Sequence, residues 1–242
     1  MPTPEILDPK KHKDLRVTTE RGAQYGENIH LSPVVADELR KLVLEYAVFL
    51  AKDPDTGRFG LYALLGFEPN ENLYLNGSTW NASYVPLHIR RQPFLTGTTN
   101  KTKSDTQEGP GALVAIDVDS PRVNRESGEK LFEEDGSQTA FLGEVIRTLS
   151  QMMSGQASTQ VFIDQLVEQD LIEPAKLDIQ FSERERRQYS GLYTIKEERL
   201  SALPDATLAR WSEKGYLQAS YLLCFSLGHI QRLVDQVNRG DS

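Results

Sequence analysis

An α+β fold is predicted for this chain, with a mostly antiparallel sheet from the N-terminal half and helices from the C-terminal half packed on it. Three features predict it. Short apolar runs separated by Asx, Gly and Pro turns fill the first half. Amphipathic stripes at helical spacing fill the second. Strands and helices are grouped rather than regularly alternated, although the mixed order after residue 112 leaves an α/β arrangement open.

The elements follow in chain order. Residues 1–30 are polar and rich in Lys, Arg and Gly, and read as an extended N-terminal arm. Residues 31–242 read as a single domain. Ser32-Pro33 has the composition of a helix start, since serine can cap and proline suits the first helical position. Val35, Leu39, Leu42 and Val43 continue that helix. The run Tyr46–Leu50 reads as a buried strand. Asp53-Pro-Asp-Thr-Gly57 turns it into a second strand over 59–67, and Glu68–Asn72 turns again before Leu73–Leu75. Residues 96–111 are Gly- and Thr-rich and are expected to form an exposed, flexible loop, open to proteolysis at Lys101 and Lys103. Ala112–Ile116 reads as a strand, as do Gly128–Phe132, Leu177–Phe181 and Gly191–Ile195. Apolar stripes predict one helix over 141–153, another over 161–167, and two near 205–213 and 216–238.

Bulk composition narrows the function. The net charge of −8 argues against broad electrostatic binding to nucleic acid or to an anionic membrane. The lone cysteine, Cys224, excludes an internal disulfide and fits a reducing compartment. The basic N-terminus has no apolar run after it, so no secretory signal is read and a cytoplasmic location is expected. No stretch approaches the ~20 apolar residues that span a bilayer.

The densest recognition chemistry lies in Trp80–Phe94, which holds Trp80, Tyr84, His88, Arg90 and Arg91. A guanidinium can grip a carboxylate or phosphate with two parallel bonds, and an aromatic wall can stack a ring or side chain. These five are the candidate ligand- or partner-binding residues. The competing reading makes the aromatics core and ties one arginine to a core-edge carboxylate. His88 could act as acid, base or donor, or hold structure. Neither the four histidines nor Asp117 and Asp119 have metal-ligand spacing, and there is no phosphate loop or nucleophile elbow. No catalytic residue, metal or cofactor is expected.

Several motifs together resemble the SapC family of bacterial proteins. They are Ala63-Leu-Leu-Gly66, Trp80, Tyr84-Val-Pro86, Arg90-Arg91, Pro93-Phe94, Ile116-Asp117, Gly128, Leu131-Phe132 and Gly191-Leu-Tyr193, with Ser226 in a C-terminal helix. The pattern Trp-x3-Tyr-x-Pro…Arg-Arg-x-Pro-Phe is its specific part. The family name is linked to bacterial surface layers, and some members carry a permease label that this chain's hydropathy opposes. Genes of the family lie near outer-membrane receptor and halogenase-like genes, which implies a role supporting uptake or modification of a substrate. The resemblance carries over no catalytic residues.

The expectation is therefore a non-catalytic binding or accessory protein with a protein partner or a peptide or small-molecule ligand. It is not expected to bind nucleic acid or span a membrane. Two alternatives are an enzyme, or enzyme subunit, acting on a peptide or on a small aromatic or carbohydrate substrate, and a surface-layer-associated protein.

Overall fold

A computed structural model describes residues 3–97, 113–182 and 185–240. Each registered pair of strands is antiparallel, and the C-terminal third is largely helical, so the fold is α+β. The chain divides into two compact units. The first gathers Met1–Glu27, Gly77–Thr79 and Leu87–Met153; the second gathers Asn28–Asn76, Trp80–Pro86 and Ser154–Ser242.

In the first unit, Leu113–Asp117 is the central strand of three, flanked by Pro4–Ile6 and Phe94–Gly97. Arg16–Val17 is central to a second small sheet, between Val123–Asn124 and Glu129–Lys130. Within residues 1–30, predicted to be an extended arm, Pro4–Ile6 and Arg16–Val17 are strands, Pro9–His12 is a helical turn and Val17 is buried. Val17, Phe94, Ile116, Leu131, Phe132, Leu142, Val145 and Leu149 form its core. An ion pair is buried here as well. Glu27 accepts from Arg122 and from Arg21, each at 2.6 Å, and Arg122 also donates to the Thr18 and Glu20 carbonyls. The predicted loop 96–111 lies, from residue 98 onward, outside the described residues; Thr96 and Gly97 end a strand.

The second unit is built on five strands in the order Ile172–Pro174, Leu192–Ile195, Val48–Lys52, Phe59–Leu64, Leu31–Val34. The helix expected from Ser32-Pro33 is instead this last strand, with Pro33 opposite Tyr62. Proline has no N–H to give a ladder, and an edge strand asks for none on its open side. The helix begins later, as a 3-10 turn at Ala36–Glu38 followed by Leu39–Leu42. Leu177–Ser182 and Glu185–Tyr189 form a separate hairpin.

The helices predicted over 141–153 and 161–167 are one helix, Ala140–Glu168. Its small, polar middle hid the continuity. A Cβ on Gly155 would lie 2.7 Å from Val35 Cγ2, so the bare glycine is what lets Val35 approach. One turn on, the Thr159 hydroxyl accepts from the Ala36 N–H at 2.7 Å. The predicted helix 216–238 is broken, by contrast, into Tyr216–Ser226 and Ile230–Gly240 with a 3-10 turn between them. Tertiary bonds flank the break: Ser226 Oγ accepts from the Val48 N–H, and His229 Nε2 lies 2.9 Å from the Val43 carbonyl.

Candidate functional site

The second unit holds a cluster of four aromatics. Tyr46 leads into the strand Val48–Lys52, and Tyr74 lies just before the short strand Leu75–Asn76; both are fully buried. Their rings sit 4.5 Å apart and tilted by 33°. Trp80 is half-buried and lies over Tyr74 at 6.4 Å, nearly parallel at 16°. Its indole N–H donates to the Tyr46 hydroxyl at 2.7 Å, and that hydroxyl donates to the Tyr84 carbonyl. Burial pushes the ionisation of Tyr46 and Tyr74 well above the ordinary phenol range, so both remain O–H donors.

Charged groups rim this cluster. Glu45 accepts from the Ser83 N–H at 2.8 Å and from the Ser83 hydroxyl. Arg232 reaches Glu45 at 3.8 Å, donates to the Asn81 carbonyl at 3.3 Å and lies 5.8 Å above the Tyr74 ring. Tyr84 donates through its hydroxyl to Glu38 at 2.9 Å, and Lys41 sits 5.1 Å over its ring. Trp80 and Tyr84 are therefore held on both their polar and their aromatic sides. Trp80 as a residue stays partly exposed, and Asn81 and Ser83, which follow it in the chain, are exposed.

The other three predicted residues belong to the first unit. Leu87–Arg90 is a single helical turn. Arg90 is exposed. Arg91 is half-buried and donates to the Phe94 carbonyl at 2.7 Å, which closes the turn into the strand Phe94–Gly97. His88 is half-buried, and burial, aided by the Arg91 charge, lowers its pKa to about 4. It is a neutral imidazole at physiological pH. The segment that is continuous in sequence thus contributes Trp80 and Tyr84 to one unit and His88, Arg90 and Arg91 to the other.

Sequence reading missed Tyr46, Tyr74, Glu45 and Arg232, because only folding brings them to Trp80. It also missed a histidine–carboxylate pair. His12 is buried, with Nε2 3.0 Å from Glu5 and Nδ1 accepting the Asp8 N–H at 3.0 Å. Both ring nitrogens are engaged within the protein, so neither is left to take a substrate proton. Cys224 is half-buried, and burial pushes its thiol up to about 11, away from thiolate chemistry. Among the described residues no group of three or more His, Cys, Asp or Glu is placed to hold a metal, and no helix is long and apolar enough to cross a membrane.

The SapC family model matches residues 7–233. The chain belongs to the SapC family. The match runs through both units of the SapC chain and takes in all five predicted site residues. No curated protein and no solved structure matches the chain.

Proposed function

We propose that this SapC-family chain is a non-catalytic binding or accessory protein that recognises a partner through the surface around Trp80 and Tyr84. The observation that carries the reading is the fixed indole. Trp80 stays partly exposed while its N–H is spent on Tyr46 and one ring face lies over Tyr74. A ring already immobilised loses little freedom when a ligand covers it, and rigid aromatic anchors with a polar rim are what recognition surfaces use. Glu45 and Arg232 offer opposite charges beside it, suited to orienting a peptide or polar small molecule. Arg90 is the exposed guanidinium of the segment and belongs to the first unit, where Arg91 closes the turn that carries it. A cytoplasmic setting belongs to the same proposal, supported by a single cysteine.

Support for binding over catalysis comes from the histidines. His88 is neutral beside a cation, and His12 has no free nitrogen. The test is affinity capture from the native host with the wild-type chain, Trp80→Phe and Trp80→Gln. The proposal expects a discrete partner or ligand that Trp80→Phe, which lacks the fixing N–H, recovers more weakly and Trp80→Gln loses. An unchanged recovered set across all three, with each variant folded, would remove the surface from consideration.

A further inference from the structure

The first unit carries a second candidate site, independent of Trp80. A shallow depression of about 680 Å³ is lined by Glu129, Gln138, Ala140, Phe141, Gly143, Glu144, Ile146 and Arg147. That volume falls in the range of small-molecule sites, roughly 300–1,000 Å³. Ala140, Gly143, Glu144 and Arg147 recur at i, i+3, i+4 and i+7, so one face of the helix Ala140–Glu168 forms a wall. The apolar floor is the outer side of the unit's core, where Phe141 and Ile146 pack on the buried cluster.

Gly143 is the telling residue. A glycine inside a helix weakens it and needs a reason. Gly155, in the same helix, has one, because Val35 occupies the space of its Cβ. Gly143 does not: a Cβ there would meet no heavy atom within 4 Å. What the missing side chain does provide is open room in the wall of the depression. The charges around it do not balance. Glu144 is paired with Arg147, while Glu129 is an exposed carboxylate with no hydrogen bond or ion pair among the described residues. The rim therefore has one uncompensated negative charge beside an apolar floor.

We propose that this depression binds a small ligand with an apolar body and one cationic group. The body covers Ile146, one turn from the gap at Gly143 on the same side of the helix, and the cation sits at Glu129. The test uses 2-phenylethylammonium as the probe and phenylpropionate as its anionic counterpart, each titrated into the full-length chain while backbone amide NMR shifts are followed. Saturable shifts are expected with the ammonium probe at the Gly143 amide and its neighbours, and none with the carboxylate. Gly143→Leu puts a side chain into the gap, where a Cβ meets no heavy atom within 4 Å, and should abolish the shifts; Gly143→Ala, which adds that Cβ alone, should hold or raise the melting temperature and weaken the shifts. Glu129→Gln should weaken binding about twofold to fivefold, the scale of one exposed ion pair. Three results would overturn the proposal: no saturable shift with the ammonium probe, equal binding of the carboxylate, or wild-type affinity in Gly143→Leu.

Discussion

The indole N–H of Trp80 donates at 2.7 Å to the hydroxyl of Tyr46, a residue 34 positions earlier that is wholly buried. The same hydroxyl donates onward to the Tyr84 carbonyl. One buried oxygen thus ties the Trp80 indole to the Tyr84 backbone. Tyr46→Phe removes it and strands an indole donor and a carbonyl together. The expected cost is about 2 kcal/mol, against about 1 kcal/mol for Tyr74→Phe, which loses only the bond to the Glu45 carbonyl. Urea unfolding of the two variants checks the order.

The two glycines of the long helix make opposite predictions. Gly143→Ala should stabilise the protein by up to ~1 kcal/mol, since the helix gains a better former and nothing is displaced. Gly155→Ala should destabilise it by about 1–3 kcal/mol, because Val35 must yield. Thermal melts of both variants under one condition decide this.

The buried Glu27 is held by Arg122 and Arg21. Arg122→Met removes one partner and leaves a carboxylate with no exposure short of compensation. A loss of about 3–5 kcal/mol is expected, measured by denaturant unfolding.

His88 makes stability depend on pH. Its pKa falls from the ordinary 6.5 to about 4 on folding, first through burial and then through Arg91. Between those values the unfolded chain binds a proton that the folded chain does not. Stability therefore falls as pH drops through that window and levels off below it. His88→Gln should flatten this slope relative to wild type, as read from unfolding free energies at several pH values.

The sequence made parts of this structure legible and hid others for physical reasons. Val48–Lys52 and Phe59–Leu64 were readable because short apolar runs, Tyr46–Leu50 and the one that starts at Phe59, stand on either side of a turn rich in Asp, Pro and Gly. Ser32-Pro33 misled because the same dipeptide suits a helix start and an edge strand, and only pairing with Ala63 and Tyr62 selects the strand. The middle of Ala140–Glu168 looked like a break because its smallness serves Val35 and Ala36, more than a hundred residues earlier. The break at Leu227–His229 had no periodic signal, since bonds to Val48 and Val43 flank it. At the candidate site, aromatic density marked Trp80 and Tyr84. Their partners Tyr46, Tyr74, Glu45 and Arg232 lie far off in the chain. Nothing local showed that the segment would part between two units after Pro86.

The central claim is that the surface at Trp80 meets a partner. It is tested most directly by site-specific photo-crosslinking in the native host. A photoreactive residue is placed at Asn81, which is exposed beside Trp80, and as a control at Glu173, which is exposed on the edge strand Ile172–Pro174. The account predicts a discrete crosslinked species from position 81 that is absent from position 173 and disappears when Trp80→Gln is added. No crosslink at position 81, or the same species from both positions, would contradict it.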